Sequence, residues 1–453
     1  MQEDDLGNAI SPCAEHTLAG INDFISGFLG YESQIANIIE AADMAPDHCL
    51  ANTYAAMIWM FLESPQGPQK AARYARRAVA AAAHAGQRER MACQMVETWR
   101  QGDVMAALAI GDQIADAFPN DLAMVKLHQY LDFNRGDAPA MLRIARAVMA
   151  HNQDVAHMHG MAAFAFEQCH LLDAAQEAAQ TAIRLKRKEP WAQHAMAHVM
   201  LTRGQIDEGA RFLEGMRDTW VNLNSFMYTH NYWHLAVFYI SQGKYDAALA
   251  LYDDHCWARE KDYSQDQIGA VSLLMRLELA GVDVGDRWAD IGAYVRARAG
   301  DTTLPFLSMH YLYGLARAGC PEADTLMQAV RQRAQKAAKH ERTAWRDVAL
   351  PACEGLLAHA RGKYEQVIDT LGPALPRMME VGGSHAQRDL FEQVLLDSLI
   401  KTGALVTAQQ MLEARRRNDP ASVPLNGALA QVYRKLGLGF EADAAARRCG
   451  LME

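Results

Sequence analysis

Tyr232-Trp233-His234-Leu235-Ala236-Val237-Phe238-Tyr239-Ile240-Ser241-Gln242-Gly243-Lys244-Tyr245-Asp246-Ala247-Ala248-Leu249-Ala250-Leu251-Tyr252 decides the fold. Apolar residues recur at helical spacing on either side of Gly243, the signature of two amphipathic helices joined by a tight turn. Tyr232, Leu235, Ala236 and Tyr239 mark the packing face of the first helix, and Tyr245, Ala248 and Tyr252 that of the second. The small alanines let the two helices approach, and the aromatic rings fill the space between them.

Working outward, the same turn recurs at Gly30, Gly67, Gly102, Gly136, His170, Gly204, Gly243, Gly281, Gly319, Gly362, Gly403 and Gly437. From 67 to 204 the steps are 35, 34, 34 and 34 residues; they widen to 38–43 and close with 34. A step of about 34 residues is the tetratricopeptide period. His170 stands where the pattern asks for glycine, and His tolerates the left-handed backbone better than most residues. Alanine follows most turns, as in Asp173-Ala174-Ala175, and fills stretches such as Ala71 to Ala85. The fold class predicted is therefore all-α: a tetratricopeptide-like α-solenoid, a superhelix of about twelve helical hairpins with no sheet. Residues 1–453 read as one solenoid. Within it, 1–50 forms an N-terminal capping hairpin, 51–320 the groove-forming repeats, and 321–453 C-terminal repeats able to close over the groove. Nothing between hairpins is long enough or rich enough in Pro and Gly to divide the chain; the charged stretch from Arg331 to Arg346 is the one candidate seam and reads as a solvated helix face.

The formal net charge of −10 argues against a general nucleic-acid binder, which needs a basic footprint. Arg415, Arg416 and Arg417 read as cations complementing a helix C-terminus. Eight scattered cysteines without a C-x-x-C pair fit a reduced protein better than a disulfide framework or a thiolate zinc module. The acidic start Met1-Gln2-Glu3-Asp4-Asp5 is unlike a secretory signal, and no apolar run is long enough to span a bilayer. The expectation is a cytoplasmic protein with no membrane partner, compatible with a homo-oligomer.

Histidines carry the chemistry. In tetratricopeptide arrays the first helix of each pair lines the concave groove, and the groove register selects His194 and His198 on one such helix and His230 and His234 on the next. His-x-x-x-His puts both imidazoles on one helix face about 5–6 Å apart at Cβ, the spacing of helical zinc sites. Helices packed about 8–10 Å apart could bring both pairs to a divalent metal such as zinc, with no other cofactor. Hydrogen-bonded polar side chains, or metal-free imidazoles acting as acid and base near neutral pH, are the alternatives. Glu167, His157 and His159 fall on the preceding first helix as candidate supporting or catalytic groups; Asn231 and Trp233, between His230 and His234, and His310 further on are candidate substrate contacts. There is no H-E-x-x-H, G-x-S-x-G or P-loop. Asp253-Asp254-His255 reads as a polar helix end. Gly382-Gly383-Ser384-His385-Ala386-Gln387-Arg388-Asp389 leads two glycines into a helix. Ser384 is its natural N-cap; Ser384, the helix start and Arg388 are candidate contacts for an anionic or carboxylate group of a substrate, and His385 is a candidate catalytic residue. A capped turn without a ligand is the plainer reading.

The stretches His159-Gly160-Met161-x-Ala163-Phe164, Trp191-x-x-His194-Ala195-x-Ala197-His198, His230-Asn231-Tyr232-Trp233-His234 and Leu251-Tyr252-Asp253-x-His255 have a further resemblance. With Leu277 to Trp288 and Gly382 to Asp389, they resemble the tetratricopeptide repeat protein 38 family and its bacterial relatives, from about residue 50 to the end of the chain. The resemblance implies a solenoid fold and a cytoplasmic setting. It also marks the groove histidines and the Gly-Gly-Ser-His turn as features that helix packing alone does not demand. Two functions follow from these readings: a small-molecule binder or hydrolase-like enzyme using metal- or His-assisted chemistry on a small polar substrate, or a non-catalytic scaffold holding a peptide or partner protein.

Overall fold

A computed structural model describes residues 2–450. Twenty-four α-helices among the described residues follow one another in pairs, giving twelve tetratricopeptide-like hairpins. They are α1 (Glu15–Gly30) with α2 (Asn37–Met44), α3 (Cys49–Met60) with α4 (Gly67–Ala81), α5 (Gln87–Arg100) with α6 (Val104–Ala117), and α7 (Leu122–Asn134) with α8 (Ala138–Met149). Next come α9 (Ala156–Gln168) with α10 (Leu172–Leu185), α11 (Pro190–Thr202) with α12 (Ile206–Glu214), α13 (Ser225–Ser241) with α14 (Tyr245–Leu251), and α15 (Ser264–Leu279) with α16 (Arg287–Val295). The last four pairs are α17 (Pro305–Arg317) with α18 (Glu322–Lys336), α19 (Leu350–Ala360) with α20 (Tyr364–Ala374), α21 (His385–Thr402) with α22 (Leu405–Arg416), and α23 (Val423–Lys435) with α24 (Gly439–Arg448). The sequence pattern misses one feature: Gln2–Glu3 and Ala9–Ile10 form a two-residue antiparallel ladder ahead of α1.

The turn residues explain the period. Nine of the predicted turn glycines, from Gly102 to Gly437, hold positive φ, and His170 does the same at 57°. At two turns the predicted residue is wrong. Tyr31 (φ 56°) and Glu63 (φ 49°) take the left-handed conformation in place of Gly30 and Gly67. Gly67 instead starts α4, where an added Cβ would sit 2.9 Å from the Trp59 carbonyl.

Packing differs between helices of the array. On α10 only Ala175, Ala178, Ala179 and Ala182 are buried, the i, i+3, i+4, i+7 stripe of a helix with one face on the core. On α17 every residue from Pro305 to Leu315 is buried, as befits a helix covered on all sides. Glycine permits the closest approaches. A Cβ on Gly209 of α12 would lie 2.3 Å from the Phe238 ring of α13.

The chain forms two compact units. One runs to Met196 and includes Thr219–Met227; the other comprises Ala197–Asp218 and the residues from Tyr228 onward. The division thus falls inside α11 and α13, not in the Arg331 to Arg346 stretch. In the second unit the C-terminal hairpins contact earlier helices far away in sequence. Arg276 of α15 donates to the Ala386 carbonyl of α21 at 2.7 Å. The Asn418 carbonyl crowds Gly204, Val423 packs on Gly243, and the Ser241 hydroxyl donates to Asp419 at 3.3 Å. All eight cysteines are thiols, and no helix among the described residues is long and apolar enough to cross a membrane.

Candidate functional site

The second unit gathers His198, His230 and His234. His230 and His234 are one turn apart on α13, and their rings meet edge to face at 4.8 Å. His198, near the end of α11, lies 4.7 Å from the His234 ring. Each of the three offers one ring nitrogen, and those atoms lie within 4.8 Å of one another. All three are buried, at 0%, 9% and 1% exposure. Burial pushes the His230 imidazole down to about 3, and the nearby His198 adds to the effect. The same burial holds His234 well below its usual range, with His198 and His230 as further causes. Taking an imidazolium out of water is costly, so His230 and His234 are neutral at physiological pH. Neutral imidazoles are the form that ligates metals. The indole of Trp233 stacks on His230 at 5.4 Å and donates to Ser272 at 2.8 Å, which fixes both rings.

His385 completes the cluster from the other end of the chain. It opens α21, its ring is 5.6 Å from that of His198, and its Nε2 shares a hydrogen bond of 3.2 Å with the Thr202 hydroxyl. Unlike the three buried rings it lines a cavity of about 1080 Å³, together with Arg276, Arg388, Asp389, Arg415 and Asp419. Leu201, Val237, Leu375, Met379, Ile400 and Leu425 make much of the remaining wall apolar.

An ion network braces the cavity wall. Asp389 accepts from Arg415 at 2.5 Å, from Arg276 at 3.3 Å and from Gln393 at 2.6 Å. The Arg415 and Arg276 charges hold its carboxyl well below the carboxylate range against the opposing effect of burial. Arg415 also reaches Glu392 at 3.1 Å. Arg415 stands in the last turn of α22, as its place in the sequence predicts, and its side chain also lines the cavity. Nothing in the sequence pattern gives Arg276 or Thr202 a role, and Asp389 stands there only as the end of the Gly382 stretch. An arginine inside the otherwise apolar pattern of α15 was the available signal, since a buried cation demands a partner.

The other predicted residues divide between the units. Ser384 is spent on its helix: its hydroxyl accepts from the Gln387 N–H at 3.2 Å while the Gln387 side chain accepts from the Ser384 N–H at 2.9 Å, a capping box. Arg388 donates to the Gly383 carbonyl and lines the cavity. His310 donates from Nδ1 to the Phe306 carbonyl at 2.8 Å, and burial lowers it to about 4. Asn231 is fully buried one turn before His234 on α13. His255 stacks on Tyr232 at 3.8 Å and bonds Tyr228 at 2.8 Å, so it serves local packing.

His194, Glu167, His157 and His159 belong to the first unit. His194 lies one turn before His198 on α11, with its ring stacked on Trp191 at 4.5 Å. His157 Nδ1 is 3.0 Å from the buried Glu189 carboxylate. His159 bonds the Gln153 carbonyl at 2.7 Å, and Glu167, fully buried, accepts from Gln168 at 2.7 Å.

No family model matches this chain. Among solved structures it is similar to the human IFIT1 dimer with PPP-AAAA, at 12% identity and a TM-score of 0.39, over 97% of this chain and 95% of that one. A second is Naa15/Naa10 bound to HypK-THB, at 12% identity and a TM-score of 0.25, over 95% of this chain and 68% of that one. A third is the TPR domain of P58(IPK), at 12% identity and a TM-score of 0.21, over 80% of this chain and 92% of that one.

Proposed function

We propose that the chain binds a small polar molecule with an anionic group in the cavity of its second unit, and that the imidazoles beside that cavity promote its hydrolysis. One observation carries this reading: His385 faces the cavity and also lies against the buried ring of His198. A histidine in that place can take a proton from an attacking water and return it to the leaving group. Arg388 on the same wall supplies positive charge for the anionic group. The apolar share of the lining supports a second reading, in which the cavity holds side chains of a bound peptide and performs no chemistry.

Calorimetric titration with a panel of small carboxylates, phosphate esters and carboxylic esters tests the choice. Saturable binding of one class, weakened about tenfold by Arg388→Ala, supports the small-molecule reading. Hydrolysis of that class lost in His385→Ala, with binding retained, supports the catalytic part. Binding by peptides alone overturns the reading in favour of a scaffold.

A further inference from the structure

We propose that His198, His230 and His234 form a three-imidazole site for one divalent transition-metal ion, with His385 on the side of the site that faces the cavity. The inference deepens the function proposed above by naming a metal at the same cluster, yet it does not need that function to be correct.

Geometry comes first. Two nitrogens on one tetrahedral zinc, each about 2.0–2.1 Å from the metal, lie about 3.3 Å apart. The three histidines already offer nitrogens within 4.8 Å of one another. Binding one ion would require side-chain rotations that close the remaining distance. The spacing follows from the elements: His230 and His234 share a face of α13 at i, i+4, and His198 approaches the same ring from α11.

Donor chemistry narrows the ion. Three imidazoles suit zinc, copper, iron or nickel, whereas calcium and magnesium select oxygen. Three protein nitrogens also leave a position open, the arrangement of catalytic rather than structural zinc. His385 offers a nitrogen within 4.8 Å of one on His198, which brings a further imidazole to the cavity side of the site.

A second observation points to an occupant. Asn231 is 0% exposed, and neither its amide oxygen nor its amide nitrogen has a hydrogen-bond partner among the described residues. Leaving both ends of a buried amide unpaired is costly, because the groups lose their bonds to water and gain none in return. The residue stands one turn from His234 on the helix that supplies two of the three ligands. A water or ligand coordinated to a bound ion would satisfy it.

The test uses full-length protein stripped with chelator and titrated with Co²⁺, a spectroscopic stand-in for zinc. One equivalent should bind with visible ligand-field bands of four- or five-coordinate cobalt. His198→Ala and His234→Ala, with helical circular dichroism unchanged, should weaken it by about 100-fold or more, and Asn231→Leu by about 10-fold. His230→Cys guards against misfolded alanine variants: a thiolate ligand adds a sulfur-to-cobalt charge-transfer band that appears only if residue 230 touches the metal. Absence of saturable binding overturns the site, as does wild-type affinity in folded His198→Ala and His234→Ala. Metal binding without any small-molecule binding would sink the hydrolytic function and leave the site standing.

Discussion

At the scale of single residues, burial decides which histidines can carry charge. His310 is 1% exposed. Desolvation lowers its pKa to about 4, although the bond to the Phe306 carbonyl opposes the shift. In the unfolded chain the same ring titrates near about 6.5. Its folded pKa is therefore depressed, so stability is full above about 6.5 and is lost as pH falls from there toward about 4. The loss from this ring is on the order of 3 kcal/mol once both states are protonated. Urea midpoints measured from pH 7.5 to 4.5 should fall steadily in the native chain, and His310→Gln should flatten part of that slope; an unchanged slope would refute the assignment. The sequence exposed the histidines as i, i+4 pairs, because helical spacing alone puts them on one face. It did not show that His385, far away in sequence, lies against His198, nor that Arg415, at the end of α22, reaches Asp389. Those pairings depend on where distant helices lie.

At the scale of elements, local rules account for both the helix starts and the turns. α21 begins at His385 because Ser384 and Gln387 satisfy each other's backbone N–H groups. Ser384→Ala should cost about 1 kcal/mol in thermal or chemical denaturation. It should leave ligand affinity within twofold, since the hydroxyl serves the cap; a tenfold loss of affinity would instead assign Ser384 to the cavity. The turns show where pattern reading is fallible. Gly30 and Gly67 match the glycine template, yet Tyr31 and Glu63 adopt the left-handed backbone. Tyr31 gains ring contacts with Trp191 at 5.1 Å and Phe226 at 5.9 Å, and Glu63 accepts from the Tyr130 hydroxyl at 2.7 Å. Tertiary contacts offset the strain there, so local propensity is not decisive.

At the scale of the whole molecule, stability in a linear repeat array comes mainly from neighbouring repeats. The second unit departs from that rule, because residues near 418 and 423 pack against the turns at Gly204 and Gly243. Two alanine substitutions separate these regimes. Gly319 holds φ 68° with nothing within 4 Å of an added Cβ, whereas at Gly204 (φ 67°) that atom would meet the Asn418 carbonyl at 2.1 Å. Gly319→Ala should cost about 1–2 kcal/mol from backbone strain alone. Gly204→Ala should cost about 3 kcal/mol or more, because the 415–423 segment must also move, and it should weaken any cavity ligand. Equal costs for the two would remove the long-range contact from the account. The sequence by itself determined the all-α class, the hairpin period and the i, i+4 spacing of the histidines, since each follows from spacing within about one turn or one repeat. Only the tertiary structure decided that three imidazoles lie close together, that His385 lies between His198 and a cavity, and that Arg276, Arg415 and Asp389 brace its wall. Those facts depend on contacts between hairpins separated by long stretches of chain, and helical periodicity places no constraint on them.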